Sequence, residues 1–177
     1  MVNSRTYIAP GNRTTYRPFL CRFYGAKEQK SRPLPLIVRC DDESHYPLVE
    51  TVLDDMAIQP YVHDCSVMVL HNNRWLYYRV FYRRHCRLLI NHSVCLVARS
   101  SWVRGDIVVM RTDWKGHALG MHHGDAVTAD EIVVEFSRRM NPRRNKKTAP
   151  KKMLVVNLAC QSLRQWRLYM FAKRRAA

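Results

Sequence analysis

Between Ser66 and Tyr82 the chain reads SVMVLHNNRWLYYRVFY, two runs with strand periodicity separated by a pair of asparagines. A period of two is what an extended backbone imposes, because successive side chains point to opposite faces. Asn tolerates the positive φ that a tight connection demands. Asn72-Asn73-Arg74 is therefore read as a hairpin turn joining strands Ser66–His71 and Trp75–Tyr82. An isolated hairpin is marginal in water, so a wider sheet with something packed on it is expected.

The remaining segments supply that sheet. LIVRC, Leu36–Cys40, reads as a buried strand. RLLI and VCLVAR read as a second pair of strands around Asn91-His92-Ser93, with a helix through the region as the alternative. DIVVMR (106–111) and HALGMH (117–122) flank a loop, Asp113-Trp-Lys-Gly116, with Gly where a left-handed residue would sit. A helix is expected over 45–57: Leu48, Val49, Val52, Leu53 and Met56 share one face. Pro47 falls in its first turn, and the acidic residues Asp41-Asp42-Glu43 stand at its positive end.

The clearest helix signal is VTADEIVVEFSRRMNP. Thr128 and Glu131 have capping-box spacing, Val127 and Ile132 have staple spacing, and Ile132, Val133, Phe136 and Met140 form the inner stripe. Asn141-Pro142 ends it. The chain is expected to be α+β, a mostly antiparallel sheet with one or two helices on one face, followed by a basic tail. The expected organisation is an irregular lead segment over 1–35, with a short strand near Phe19–Tyr24, and a single α+β domain over 36–141. A disordered basic linker follows over 142–152, then an apolar and basic segment over 153–177 with an imperfect helical pattern.

The formal charge of +16 is unevenly placed. Residues 1–137 carry 17 Lys and Arg against 14 Asp and Glu, whereas residues 138–177 carry 13 against none. Most of the excess thus belongs to the last forty residues, and charge gives no argument for nucleic-acid binding by the whole fold. Within that tail an arm of Arg138, Arg139, Arg143, Arg144, Lys146, Lys147, Lys151 and Lys152 has the composition to neutralise phosphates and release counterions. Its clustering also suits a nuclear import signal, and a solvated tail is the plain alternative.

Two further groups are candidates. Trp75, Tyr77, Arg79 and Phe81 alternate onto one face of their strand, an aromatic and cationic set of the kind that stacks unpaired bases. Strand aromatics also pack as core. His85, Cys86, His92 and Cys95 form the densest group of metal-ligating types. His92 and Cys95 make one acceptable pair, but adjacent His85 and Cys86 point apart on a strand, so neither a metal nor another cofactor is expected. Phosphate-binding, dinucleotide-binding and hydrolase motifs are missing. The six cysteines form no compact framework and read as reduced thiols in an intracellular protein. No run of about 18 apolar residues suggests a membrane span.

The stretch WVRGDIVVMRTDWKGHALGMHHGDAVTADEIVVEFSRR, residues 102–139, resembles a layout found in uncharacterised proteins of mushroom-forming fungi. There a Gly-Asp-like turn precedes a V-V-M-R strand, a second short strand and a helix containing Ala-Asp. The resemblance implies that local fold and carries no activity, cofactor or site residue.

The function expected from these residues is a non-catalytic intracellular interaction module, nuclear rather than cytoplasmic. Its arm would associate weakly with nucleic acid or with an import receptor, and its body or apolar C-terminal segment would meet another protein. The alternative is a small hydrolase or metal-dependent enzyme built from dispersed His, Cys and Asp residues.

Overall fold

The structure is a computed structural model that describes residues 14–41, 44–53, 61–71, 73–99 and 103–140, together with the backbone of Leu154–Asn157. Its strands are β1 (Thr15–Tyr24), β2 (Arg32–Cys40), β3 (His45–Pro47), β4 (His63–His71), β5 (Arg74–Tyr82), β6 (Ile107–Thr112), β7 (Ala118–Leu119) and β8 (Leu154–Asn157). They form one curled, wholly antiparallel sheet in the order β3-β2-β1-β6-β5-β4-β8, with β7 paired to the far end of β6. Helices α1 (His92–Ala98) and α2 (Asp125–Met140) complete the α+β architecture.

The expected hairpin forms in register. His71 lies opposite Arg74, and Asn73 takes a φ of 59° in the two-residue connection. Next to it β6 is buried along almost its whole length, which explains its unbroken apolar run: strands lie on either side and packing covers both faces. On one face Val67, Tyr78, Val80, Ile107 and Val109 pack against Ile132, Val133 and Phe136 of α2 and Val94 of α1. The stripe read on α2 is therefore the stripe that enters the core. On the other face the curl of the sheet brings Cys21, Phe23, Leu36, Val38, Phe81 and Met110 together over Val49 and Leu53.

Several elements differ from expectation. The lead segment is not irregular from Thr15 onward: β1 and β2 pair over nine residues, from Thr15↔Cys40 to Phe23↔Arg32. Its prolines stand where a strand has a neighbour on one side only. β6 pairs with β1 only at Arg22–Tyr24, beyond Pro18, and β3 pairs with β2 only at Val38–Cys40, beyond Pro33 and Pro35. A missing N–H costs no ladder bond at such an edge. The helix expected over 45–57 is instead β3 followed by a single 3-10 turn, Val49–Thr51; residues 54–57 lie outside the described residues. Pairing with β2 holds this segment, through Val38↔Pro47 and the Leu48 N–H donated to Ile37 O at 2.9 Å.

The strand pair expected around Asn91 is an Ile90↔Arg104 bridge and helix α1. Asn91 caps that helix, its Oδ1 accepting from the Val94 N–H at 2.9 Å. Helix α2 starts three residues before Thr128, because the Asp125 carboxylate reaches back to accept the His122 N–H at 2.8 Å. Of the segment 153–177, Leu154–Asn157 form not a helix but a strand on the edge of β4, opposite Ser66–Val69. The linker over 142–152 lies outside the described residues.

Candidate polyanion-binding surface

The expected site residues are dispersed. Arg138 and Arg139 occupy the last turn of α2, and both reach Glu135, at 3.6 and 2.9 Å. Arg143, Arg144, Lys146, Lys147, Lys151 and Lys152 lie outside the described residues. The aromatic face of β5 is divided. Phe81 is 6% exposed, inside the second core. Arg79 lies over its ring at 5.6 Å and is held by Asp64 at 2.8 Å. Tyr77 is half-buried, and Trp75, 42% exposed, is the open end of the row.

The metal candidates do not converge. His85 and Cys86 lie in the loop after β5, whereas His92 and Cys95 lie on α1. Among the described residues no three His, Cys, Asp or Glu side chains are grouped to hold an ion. Among the described residues the two most buried thiols are also poor nucleophiles, since desolvation pushes Cys21 and Cys65 up to about 12.

The structure instead gathers three loops around one side chain. Asn91 is completely buried. Its Nδ2 donates to Tyr24 O at 2.8 Å and to Gly105 O at 2.7 Å, and its backbone N–H donates to Val103 O at 2.9 Å. Ser93 Oγ bonds the carbonyls of Gly25 and Glu28 at 3.1 and 2.8 Å. Asp106 Oδ1 accepts the Ala26 N–H at 2.7 Å, and Gly105 N–H donates to Leu89 O at 2.8 Å. Such satisfied buried networks fix the loops that carry them.

Around this hub lie two cavities whose walls, among the described residues, include no acid. One, of about 570 Å³, is lined by Lys27, Arg87, His92 and Arg104 with Leu88, Leu89 and Ile90. The other, of about 250 Å³, is lined by Arg83, Arg84, His85 and Arg104 with Phe136 and Met140. Arg104 stands in both walls, with one edge of its guanidinium fixed by a 2.8 Å bond from Nη1 to Leu88 O. His85 Nδ1 accepts the Arg87 N–H at 3.2 Å, which leaves Nε2 as the protonated nitrogen of the neutral ring. A third cavity, of about 470 Å³, shares the wall at Ala26–Lys27 but is lined by Glu28, Glu50 and Asp106 as well as Lys27 and Arg32, so its charges offset.

This basic band was readable in the sequence by another cut. Between Asp64 and Asp106 there is no acidic residue, but there are seven arginines and three histidines. Summing charge over residues 1–137 averages that segregation away, because the acids lie on either side of it.

None of the helices among the described residues is long and apolar enough to cross a membrane. Comparison with protein-family models finds no match. Neither the curated proteins nor the solved structures include a significant match to this chain.

Proposed function

We propose that this chain is a non-catalytic module that binds nucleic acid through the phosphates. The arginines on the body and the basic arm over 138–152 would both supply cations to the phosphates. The observation that carries the reading is the pair of cavities joined at Arg104, in whose walls the described residues include cations and no acid. The second reaches Met140, the residue from which the chain runs into Arg143 and Arg144. Clustered cations without interspersed acids create the positive potential that attracts a polyanion and releases its counterions.

The test uses the full chain, titrated with duplex DNA and with single-stranded RNA over a range of salt. Affinity is expected to fall steeply with salt. Replacing Lys146, Lys147, Lys151 and Lys152 with Gln should flatten the slope by about one for each phosphate that is no longer neutralised. Absent or salt-insensitive binding would remove the reading. The clustering of the arm also supports nuclear import, for which the expected result is nuclear accumulation of a fluorescent fusion that those same substitutions abolish.

A further inference from the structure

We infer that the cavity lined by Lys27, Arg87, His92 and Arg104 is a discrete site for a phosphomonoester carried on an organic group, the chemistry of a phosphorylated strand end or a free nucleotide. For the strand end, the inference rests on the nucleic-acid reading above.

Charge is the first argument. Lys27, Arg87 and Arg104 are cations, His92 adds a ring N–H donor, and among the described residues no carboxylate lines the space. A phosphomonoester carries about −1.5 to −2 at neutral pH. A backbone diester carries a single charge and continues on both sides, so it tracks across a surface rather than ending in a recess. Arginine's planar fork of donors is suited to phosphate oxygens, and the bond to Leu88 O holds Arg104 in place to present it.

Size and lining are the second. A cavity of about 570 Å³ falls in the range of small-molecule sites and exceeds the needs of a bare inorganic anion. The rest of its wall is apolar, with Leu88 buried and Leu89 52% exposed, which offers a surface to the group that bears the phosphate. The acidic residues of the adjoining cavity, Glu28, Glu50 and Asp106, keep an anion on the Arg87 side of Lys27.

Rigidity is the third. The walls are tied by the Ile90↔Arg104 bridge, by Gly105 N–H to Leu89 O at 2.8 Å and by His92 N–H to Ala26 O at 3.2 Å. A site held in this way has little ordering cost to offset on binding.

The experiment titrates the full chain with a short single-stranded RNA bearing a terminal phosphate or a terminal hydroxyl, and competes each with adenosine monophosphate and with inorganic phosphate. The phosphorylated strand is expected to bind about tenfold tighter, the effect of one added charge-assisted hydrogen bond. Adenosine monophosphate should cancel that preference at concentrations where inorganic phosphate does not. In a Lys27→Gln, Arg87→Gln variant the ratio should collapse towards one; both side chains are exposed, and an unchanged urea midpoint would show that the fold is retained. Equal affinity for the two strands with no effect of the nucleotide overturns this site and leaves the nucleic-acid reading standing. Binding of the nucleotide with no binding of either strand supports the site and overturns that reading. Equal competition by inorganic phosphate overturns the claim that the bearing group is recognised.

Discussion

Asn91 donates from its buried side-chain amide to the Tyr24 carbonyl at 2.8 Å, joining positions 67 residues apart. The same nitrogen holds Gly105 O at 2.7 Å, so one residue ties the end of β1, the entry to α1 and the approach to β6. Those are the segments that carry Lys27, His92 and Arg104. The geometry of these basic segments is thus set by a buried neutral side chain.

Substitution of Asn91 should therefore cost much more than loss of a helix cap. Asn91→Ala removes the side-chain donor to two buried carbonyls and the acceptor of the Val94 N–H, and is expected to destabilise by about 3 kcal/mol. Asn91→Asp keeps an acceptor for the Val94 N–H but sets a carboxylate against two carbonyl oxygens, and should be no better. Urea midpoints at unchanged m-value measure both. A midpoint for Asn91→Ala close to that of the native chain would show that the hub is not what holds the loops.

Two glycines should respond oppositely to alanine. Gly105 has a φ of 73°, and a Cβ there would stand 2.9 Å from Leu88 Cδ1. Gly105→Ala is expected to cost about 1–2 kcal/mol from the backbone alone. A Cβ at Gly124 meets nothing within 4 Å, and Gly124→Ala is expected to be neutral or to stabilise by up to about 1 kcal/mol. Thermal melts of the two variants test the contrast.

Stability should decline in alkali. Burial pushes Cys21 and Cys65 up to about 12 from an ordinary 9.0. Their folded-state values are raised, so the native chain retains protons that the unfolded chain releases above about pH 9. The stabilisation is complete below pH 9 and is lost as pH rises towards 12, at about 1.4 kcal/mol per pH unit for each thiol at most. Tyr24 acts in the same direction at higher pH, its phenol raised by burial and by the Asp130 carboxylate at 2.6 Å. Urea midpoints measured at rising pH should fall, and the fall should be shallower in a Cys21→Ala, Cys65→Ala background.

The aromatic row on β5 can be separated into structure and surface. Phe81→Ala is expected to cost about 3–5 kcal/mol, because Phe81 fills the second core. Trp75→Ala should cost under about 1 kcal/mol. If Trp75 stacks on an unpaired base, the same change should weaken single-stranded RNA binding by about 1–3 kcal/mol. Unchanged affinity in a folded Trp75→Ala variant would take this face out of the interface.

Short-range signals in the chain carried the β4–β5 hairpin and the buried stripe of α2. Both depend on neighbours a few residues away: Asn73 for the turn, and Ile132, Val133 and Phe136 for the helix face. The β1–β2 hairpin was obscured by its prolines, which break a strand reading unless the open edges beside Pro18, Pro33 and Pro35 are known. Asn91 looked like a turn residue for the same reason. Its carbonyl partners at Tyr24 and Gly105 are fixed by chain topology, not by adjacent sequence.

Residue order alone was enough to settle the alternation of the central strands, the amphipathic closing helix and the location of the surplus charge. Folding decided where the cations meet. Lys27, Arg87 and Arg104 come from loops and His92 from the first turn of α1, and they share one cavity because a buried polar network pins those segments together. Local patterning reports the energetics of single elements, whereas a site shared between distant loops is fixed by interactions that exist only once the sheet has curled and paired.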